Sequence, residues 1–211
     1  MLRTLGGIAT ISGLLVVLVY QVTLPIIAEN QRVRTERAVF QVIPGAVSKR
    51  DFVLTDQGLE PAGGGAQGEI LYAAYDSAGA LKGVAFPGGA QGYSDVIRFL
   101  FGYDPACQCI VGIRVLKSTE TPGLGDKIEK DPAFLANFQS LDARLSADGS
   151  GLANPIETVK HGTKTDPWQI DAISGATISS NATGRALNEA AQRMVPAVQR
   201  SLALLRSPPQ P

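Results

Sequence analysis

The sequence predicts an α+β protein in which a single N-terminal transmembrane helix precedes one mixed α/β domain. Three features predict it: a run of 25 uncharged residues from Thr4 to Ala28, period-two apolar alternation in successive segments between residues 68 and 118, and a helical apolar stripe through residues 178–205. Strands gathered first and helices later indicate an α+β domain built on a mixed sheet.

The uncharged run comes first. At ~1.5 Å per residue it makes roughly 37 Å of helix, enough to cross a hydrocarbon core of ~30 Å with some tilt. Arg3 and Glu29 bound it. A cleaved secretory signal is the competing reading, because the start is short and positive and Ala28 is small. Against cleavage, the apolar run is long for a signal, and Pro25-Ile26-Ile27-Ala28 lacks the small residue preferred three positions before a cut. Residues 1–28 therefore read as an uncleaved anchor in the lipid bilayer.

Residues 29–43 read as a charged helix leaving the membrane and ending near Pro44-Gly45. The segment from Gly58 to Gly68 holds Pro61 and Gly63-Gly64-Gly65, which reads as a loop. Residues 29–66 are thus expected to be stalk and Gly-rich linker, and residues 67–211 the domain with its C-terminal helices. Within it, residues 68–76 and 81–87 form an expected hairpin about a turn at Ser77–Ala80. A glycine-rich stretch, Gly88–Tyr93, precedes two further strands, 96–104 and 109–118, joined at Asp104-Pro105. Residues 126–146 read as short helical pieces interrupted at Asp131-Pro132, and residues 167–171 as extended. The final stripe is Leu187, Ala191, Met194, Val198, Leu202 and Leu205, with Pro196 expected to kink or split the helix.

Composition excludes several classes. Lys+Arg and Asp+Glu number 19 each and 45% of residues are hydrophobic, which fits neither a cationic nucleic-acid binder nor a disordered chain. The balance is uneven: residues 1–50 carry six basic and two acidic side chains, so the remaining residues are net −4. Two cysteines cannot form a disulfide framework. With only Arg3 ahead of the span and Arg32, Arg34 and Arg37 after it, the positive-inside count places the body in the cytoplasm. Glu29 and Glu36 interleave with those arginines, and a protein with three residues before its anchor can still export its C-terminal body.

Two segments hold the chemistry. Asp171-Ala172-Ile173-Ser174-Gly175-Ala176-Thr177 lies between an extended stretch and the last helix. Its small residues permit close backbone approach, and a helix N-terminus offers N–H groups to an anion such as phosphate. Thr177 is the nearest hydroxyl, although Ser174 or Thr177 acting only as a helix cap explains the same residues. Glu120-Thr121-Pro122-Gly123-Leu124-Gly125-Asp126-Lys127 reads, by itself, as a tight strand-to-helix loop.

Together, ETPGLGDK at 120–127 and DAISGAT at 171–177 resemble the covalent-flavin (FMN-bind) domain family. In that family Asp-x-x-Ser/Thr-Gly-Ala-Thr/Ser is the acceptor of an ApbE-type flavin transferase, which leaves FMN joined through its phosphate to the last hydroxyl, here Thr177. The layout of anchor, body and motifs is similar to the G subunits of Rnf (Rsx) ion-translocating electron-transport complexes. The C subunits of sodium-translocating NADH:quinone reductases share both motifs on a usually longer chain and rank second. The resemblance implies a covalent FMN cofactor and an electron-transfer subunit rather than a stand-alone enzyme. It also implies partner membrane subunits of a redox pump, and a bacterial inner-membrane location with the domain on the periplasmic side. The implied cofactor-binding residues are Thr177, Ser174, Gly175, Ala176, Asp171, Glu120, Thr121, Gly123 and Leu124. Asp171 would serve transferase recognition or activation of the Thr177 hydroxyl, and Thr121, Gly123 and Leu124 would line the flavin ring. Gly89, Gly92 and Tyr93 are further candidates for close approach and stacking, and Lys160 for neutralising the phosphate. Two positions depart from the pattern: Ala172 where many members have Gly, and Ser118 where relatives often have His.

His161, the only histidine, reads as a surface residue, and no metal site is expected. Cys107 and Cys109 are too few for an iron–sulfur cluster, and a ring closed by so short a loop is disfavoured on strain, so they read as structural, free or oxidised. Asn181-Ala182-Thr183 matches a glycosylation acceptor by coincidence, and Trp168 reads as core or as a flavin contact. Two competing functions are an anchored phosphate-ligand-binding or assembly protein without a redox role, and a Thr- or Ser-nucleophile hydrolase. The hydrolase is disfavoured because no paired base lies near the motif.

Overall fold

A computed structural model describes residues 2–56, 58–63 and 68–207. They divide into two units, Met1–Arg37 and Ala38–Pro211. The first unit belongs to helix α1 (Leu2–Val42, 41 residues), which continues through Pro25. Its uncharged residues 4–28 leave Leu5, Ile8, Ile11, Leu14 and Val16 all exposed, and the helix is long and apolar enough to cross a membrane. Beyond this stretch Arg32 bridges Glu29 at 2.8 Å and Glu36 at 2.7 Å. Such exposed intrahelical pairs add little to stability because solvent screens them.

In the second unit, seven strands form one sheet: β1 (Ser48–Thr55), β2 (Gly58–Pro61), β3 (Glu69–Tyr75), β4 (Leu81–Gln91), β5 (Val96–Asp104), β6 (Cys109–Lys117) and β7 (Leu141–Asp142). Their order is β2-β1-β3-β4-β5-β6-β7, with every neighbouring pair antiparallel. The parallel component is a separate pair, β8 (Glu157–Val159) and β9 (Gln169–Asp171). Helix α2 (Pro132–Ala136) follows a 3₁₀ turn at Gly125–Glu129, and α3 (Thr177–Arg200) and α4 (Leu202–Arg206) close the chain.

Strand alternation gives the sheet two apolar faces. Phe86, Phe99, Phe101, Tyr103 and Leu71 point to one, where the buried stripe of α3 covers them through Leu187, Ala191, Met194 and Val198. Ala74, Ala85 and Leu100 point to the other and pack with Ala38, Val39, Val42 and Ile43, the last turns of α1. That contact depends on glycine. A Cβ at Gly102 or Gly112 would collide with the Val42 carbonyl oxygen, so the helix end rests directly on two strand backbones.

Several elements differ from expectation. The segment expected as stalk and linker supplies the buried Ala38–Ile43 turn and strands β1 and β2; its residues 64–67, including Gly64 and Gly65, lie outside the described residues. The glycine-rich stretch extends β4 to Gln91, with Gly88 facing Phe99 and Gly89 facing Arg98 in the ladder. Asp131 caps α2 by accepting from Ala133 and Phe134, with Pro132 in the first turn where its missing N–H costs nothing. Residues 141–142 are strand rather than helix. α3 passes through Pro196, which forfeits one helix hydrogen bond amid buried Met194, Val195, Ala197 and Val198. The helix ends instead at Ser201, whose N–H donates to both Ala197 and Val198 carbonyls.

Gly102→Ala is expected to cost about 1–3 kcal/mol by forcing the α1 end off the sheet. Urea unfolding of the detergent-solubilised chain measures it, and an unchanged midpoint would contradict the backbone contact.

Candidate functional site

The loop 171–177 joins β9 to α3. Gly175 has φ +82°, the left-handed conformation that turns the chain into the helix. Ala176 holds the cap position with no side-chain hydrogen bond, and Thr177 is the first helical residue. Neither Ser174 nor Thr177 is therefore a helix cap, and both are exposed. The loop is held from inside by Ser180, whose buried hydroxyl accepts from the Ile173 N–H (3.1 Å) and donates to the Ala176 carbonyl (2.9 Å).

The second loop leaves β6 and reaches the same place. Glu120 is only 7% exposed. Its carboxylate accepts from the Ser94 N–H at 3.0 Å and from the Ser179 hydroxyl one turn into α3. Gly92 and Gly125 press against this carboxylate so closely that a Cβ on either would meet its oxygens. The turn itself is fixed by Asp126, which accepts from the Gly123 N–H at 2.6 Å, and by the Leu124 N–H to Thr121 carbonyl bond. The Lys130 ammonium, 2.7 Å from Asp126, holds that carboxyl below the usual carboxylate range, with the Gly123 bond adding to the effect.

Between the loops lies a cavity of about 510 Å³, lined by Tyr93, Glu120, Thr121, Leu124, Gly125, Gly175, Ala176, Thr177, Ile178 and Ser179. Its volume and largely apolar wall suit a drug-sized or cofactor-sized planar molecule. Tyr93, Leu124 and Ile178 are large apolar side chains left more than half exposed at 70%, 52% and 51%, a pattern that marks a binding surface.

A second cavity of about 200 Å³ includes Lys127, Asp131, His161, Asp171 and Ser174 in its lining. Here Asp171 accepts from the Gly162 N–H at 2.6 Å, and its other oxygen lies 3.4 Å from His161 Nδ1. His161 Nδ1 is also 2.9 Å from the Ala172 carbonyl oxygen, so it donates and carries the proton. Asn137 braces the strand, its Oδ1 accepting from the Asp171 N–H and from Lys164 Nζ. Burial pushes the Lys164 ammonium down, opposed by the charge of Asp171.

Of the residues singled out in the sequence, Glu120, Thr121, Leu124, Gly175, Ala176, Thr177 and Tyr93 meet in the large cavity. Asp171 and Ser174 line the smaller one, and Gly123 shapes its loop at φ +79° without lining either. Gly92 stands behind Glu120, and Gly89 belongs to the β4–β5 ladder. Lys160 and Trp168 line neither of these cavities. Sequence reasoning placed Gly125 in the loop without a role at the site, and missed Ile178, Ser179, Ser180 and Asn137. Only Ile178 left a signal, as an apolar residue outside the helical stripe. Among the described residues no group of three His, Cys, Asp or Glu side chains is placed to hold a metal ion. Cys107 and Cys109 form a disulfide, the pairing that ring size had disfavoured.

Glu120→Ala leaves the Ser94 N–H and Ser179 hydroxyl without their acceptor and is expected to lower stability by about 1–3 kcal/mol. Ser179→Ala is expected to cost less. Paired urea titrations compare them, and a neutral Glu120→Ala would show that the carboxylate does not join the loops.

The FMN-binding domain family matches residues 92–192, a span containing both loops. The fold is similar to the crystal structure of Shewanella oneidensis NqrC, with TM-score 0.61, 19% identity, and coverage of 84% of this chain and 98% of that one. The G subunit of the ion-translocating oxidoreductase complex from Methanosarcina acetivorans is 30% identical over 190 residues, 89% of each chain. The corresponding G subunit from Cereibacter sphaeroides is 32% identical over 180 residues, 84% of this chain and 75% of its own. Identity at this level, sustained over most of both chains, establishes that the chain belongs to the family of G subunits of ion-translocating oxidoreductase complexes.

Proposed function

We propose that this chain is the membrane-anchored flavoprotein subunit of a multi-subunit ion-translocating redox complex, carrying electrons on an FMN joined by a phosphoester to Thr177. The observation that carries the reading is the placement of the exposed residue Thr177 on the wall of the 510 Å³ cavity, at the first turn of α3.

The residues present suit this cofactor. A phosphate on Thr177 would sit at the N-terminus of a 24-residue helix whose cap position is Ala176, so no side chain competes for the first N–H groups. Tyr93, Leu124 and Ile178 offer apolar surface to a flat ring system, and Thr121 supplies a hydroxyl at the wall. When bound, FMN supplies one- and two-electron chemistry; the protein's share is position and environment. Glu120 keeps the ring-side loop fixed to α3, and Ser180 keeps the acceptor loop open.

Attachment from FAD by an ApbE-type flavin transferase forms the Thr177 oxygen–phosphorus bond as AMP departs and the hydroxyl loses its proton. Asp171 supports this step by shaping the loop. Its carboxylate is engaged by Gly162 and faces the smaller cavity, whereas Thr177 faces the larger. Its contribution is therefore to loop shape and transferase recognition rather than to direct activation of the hydroxyl.

Residues 4–28 anchor the chain in the bilayer, beside the other membrane subunits of the complex. The Cys107–Cys109 disulfide supports placing the domain outside the cytoplasm, since disulfides persist in oxidising compartments. That observation weighs against the positive-inside count.

Co-expression with a flavin transferase, followed by denaturing electrophoresis, tests the linkage. The wild-type band is expected to fluoresce under ultraviolet light, Thr177→Val to be dark, and Ser174→Ala to remain bright. A dark wild-type band sinks the proposal, and non-covalent phosphate-ligand binding then becomes the better reading. Reporters fused at the C-terminus test the topology: activity of an export-dependent enzyme is expected, and activity only of a cytoplasmic reporter would reverse the orientation.

A further inference from the structure

The tip of the β5–β6 hairpin holds a second feature with chemistry of its own. Cys107 and Cys109 are joined across one intervening residue, and no cysteine in the described residues is free. Gln108 between them has φ +52°, the only positive φ among the described non-glycine residues. For an L-residue this conformation is disfavoured relative to the right-handed region. The crosslink therefore holds its central residue in a backbone state that the reduced chain is free to leave.

The two sulfurs are not equivalent. Cys107 is exposed, while Cys109 is 7% exposed and sits in the β6–β7 ladder opposite Asp142. Gln108 is also a clasp. Its carbonyl accepts from the Ala143 N–H at 3.0 Å, and its side-chain oxygen accepts from the Leu145 N–H at 3.1 Å. These two bonds, with the short ladder of β7, fasten the 141–145 segment to the edge of the sheet. The segment in turn reaches the turn that leads into β9, because the Asp142 N–H donates to the Pro167 carbonyl at 3.0 Å. The hairpin tip is remote from the large cavity: β5 spans nine residues between them, about 30 Å at ~3.3 Å per residue.

We infer that Cys107–Cys109 is an exchangeable disulfide that acts as a redox-responsive clasp on the sheet edge, with a protein dithiol as its chemical partner. The partner's thiolate attacks the exposed Cys107 sulfur, forming a mixed disulfide as Cys109 departs as thiolate. The partner's second thiol then attacks its own sulfur in that mixed disulfide, releasing Cys107. Two electrons and two protons pass to the cysteine pair, and the partner is left as a disulfide. Exposure of one sulfur and strain held by a short ring are the properties that separate labile from structural disulfides. With the ring open, Gln108 relaxes to negative φ and its hold on Ala143 and Leu145 weakens.

The test uses the full chain in detergent, isolated without reductant, with dithiothreitol as the dithiol probe. Two maleimide-reactive thiols per chain are expected to appear under native conditions, with the far-ultraviolet circular dichroism unchanged. Exchange of the Ala143 and Leu145 amides is expected to speed up about tenfold in the reduced form, while amides of α3 stay protected. Single-cysteine variants rank the accessibility of the two sulfurs: Cys109→Ser, which keeps Cys107, is expected to attack oxidised glutathione and form a mixed disulfide at least tenfold faster than Cys107→Ser. A crosslink that resists dithiothreitol until denaturant is added overturns the inference, as do equal rates for the two variants or unchanged amide exchange. None of these readouts depends on the flavin, so failure here and failure of the flavin reading are separable.

Discussion

The position of the 171–177 loop depends on the seat of α3 on the antiparallel sheet. Leu187, Met194, Val195 and Val198 are fully buried there, and each such side chain contributes about 1.5–3 kcal/mol. The neutral hydrogen bonds made by Ser180 are each worth nearer ~1 kcal/mol, and the Ser179 bond to the Glu120 carboxylate about 1.5–3 kcal/mol, less than the summed burial. Apolar packing therefore decides where the helix begins, and the polar contacts only shape the turn leading into it. Thr177 is held by a 24-residue helix rather than by a flexible loop.

The parts of this arrangement that follow local rules were readable from the residues. The first span shows itself by its length without charge, the β3–β4 and β5–β6 hairpins and the α3 stripe repeat with periods fixed by backbone geometry, and the two short motifs are distinctive. The unread parts depend on partners distant in sequence. β1 shows little alternation in burial, and β2 has only four residues, ending in Pro61; β1 is a strand because β3 offers an edge, and β2 because β1 then offers the next. β7 has two residues, and no local pattern could reveal it. The Glu120–Ser179 bond joins positions 59 residues apart. Ring size argued against the Cys107–Cys109 pairing, but the left-handed Gln108 accommodates it.

The loop 171–177 separates two cavities of different character. One is apolar and carries the hydroxyl; the other is bordered by Lys127, Asp131, His161 and Asp171. The division explains how a segment of seven residues contains both the Asp171 carboxylate and the Thr177 hydroxyl without the two lining one cavity. Asp171 organises its own side through Gly162 and His161, leaving the Thr177 side free of fixed negative charge apart from Glu120, whose hydrogen bonds hold it against α3.

The contact of Val42 with Gly102 and Gly112 is main chain against main chain. Most interior contacts yield by rotating a side chain, and each such rotation is a soft degree of freedom. Here there is none to rotate on the strand side. The joint is consequently stiff in the mechanical sense: a force on the last turn of α1 meets the peptide planes of β5 and β6 directly, and the turn cannot slide by one residue without a Cβ entering the gap.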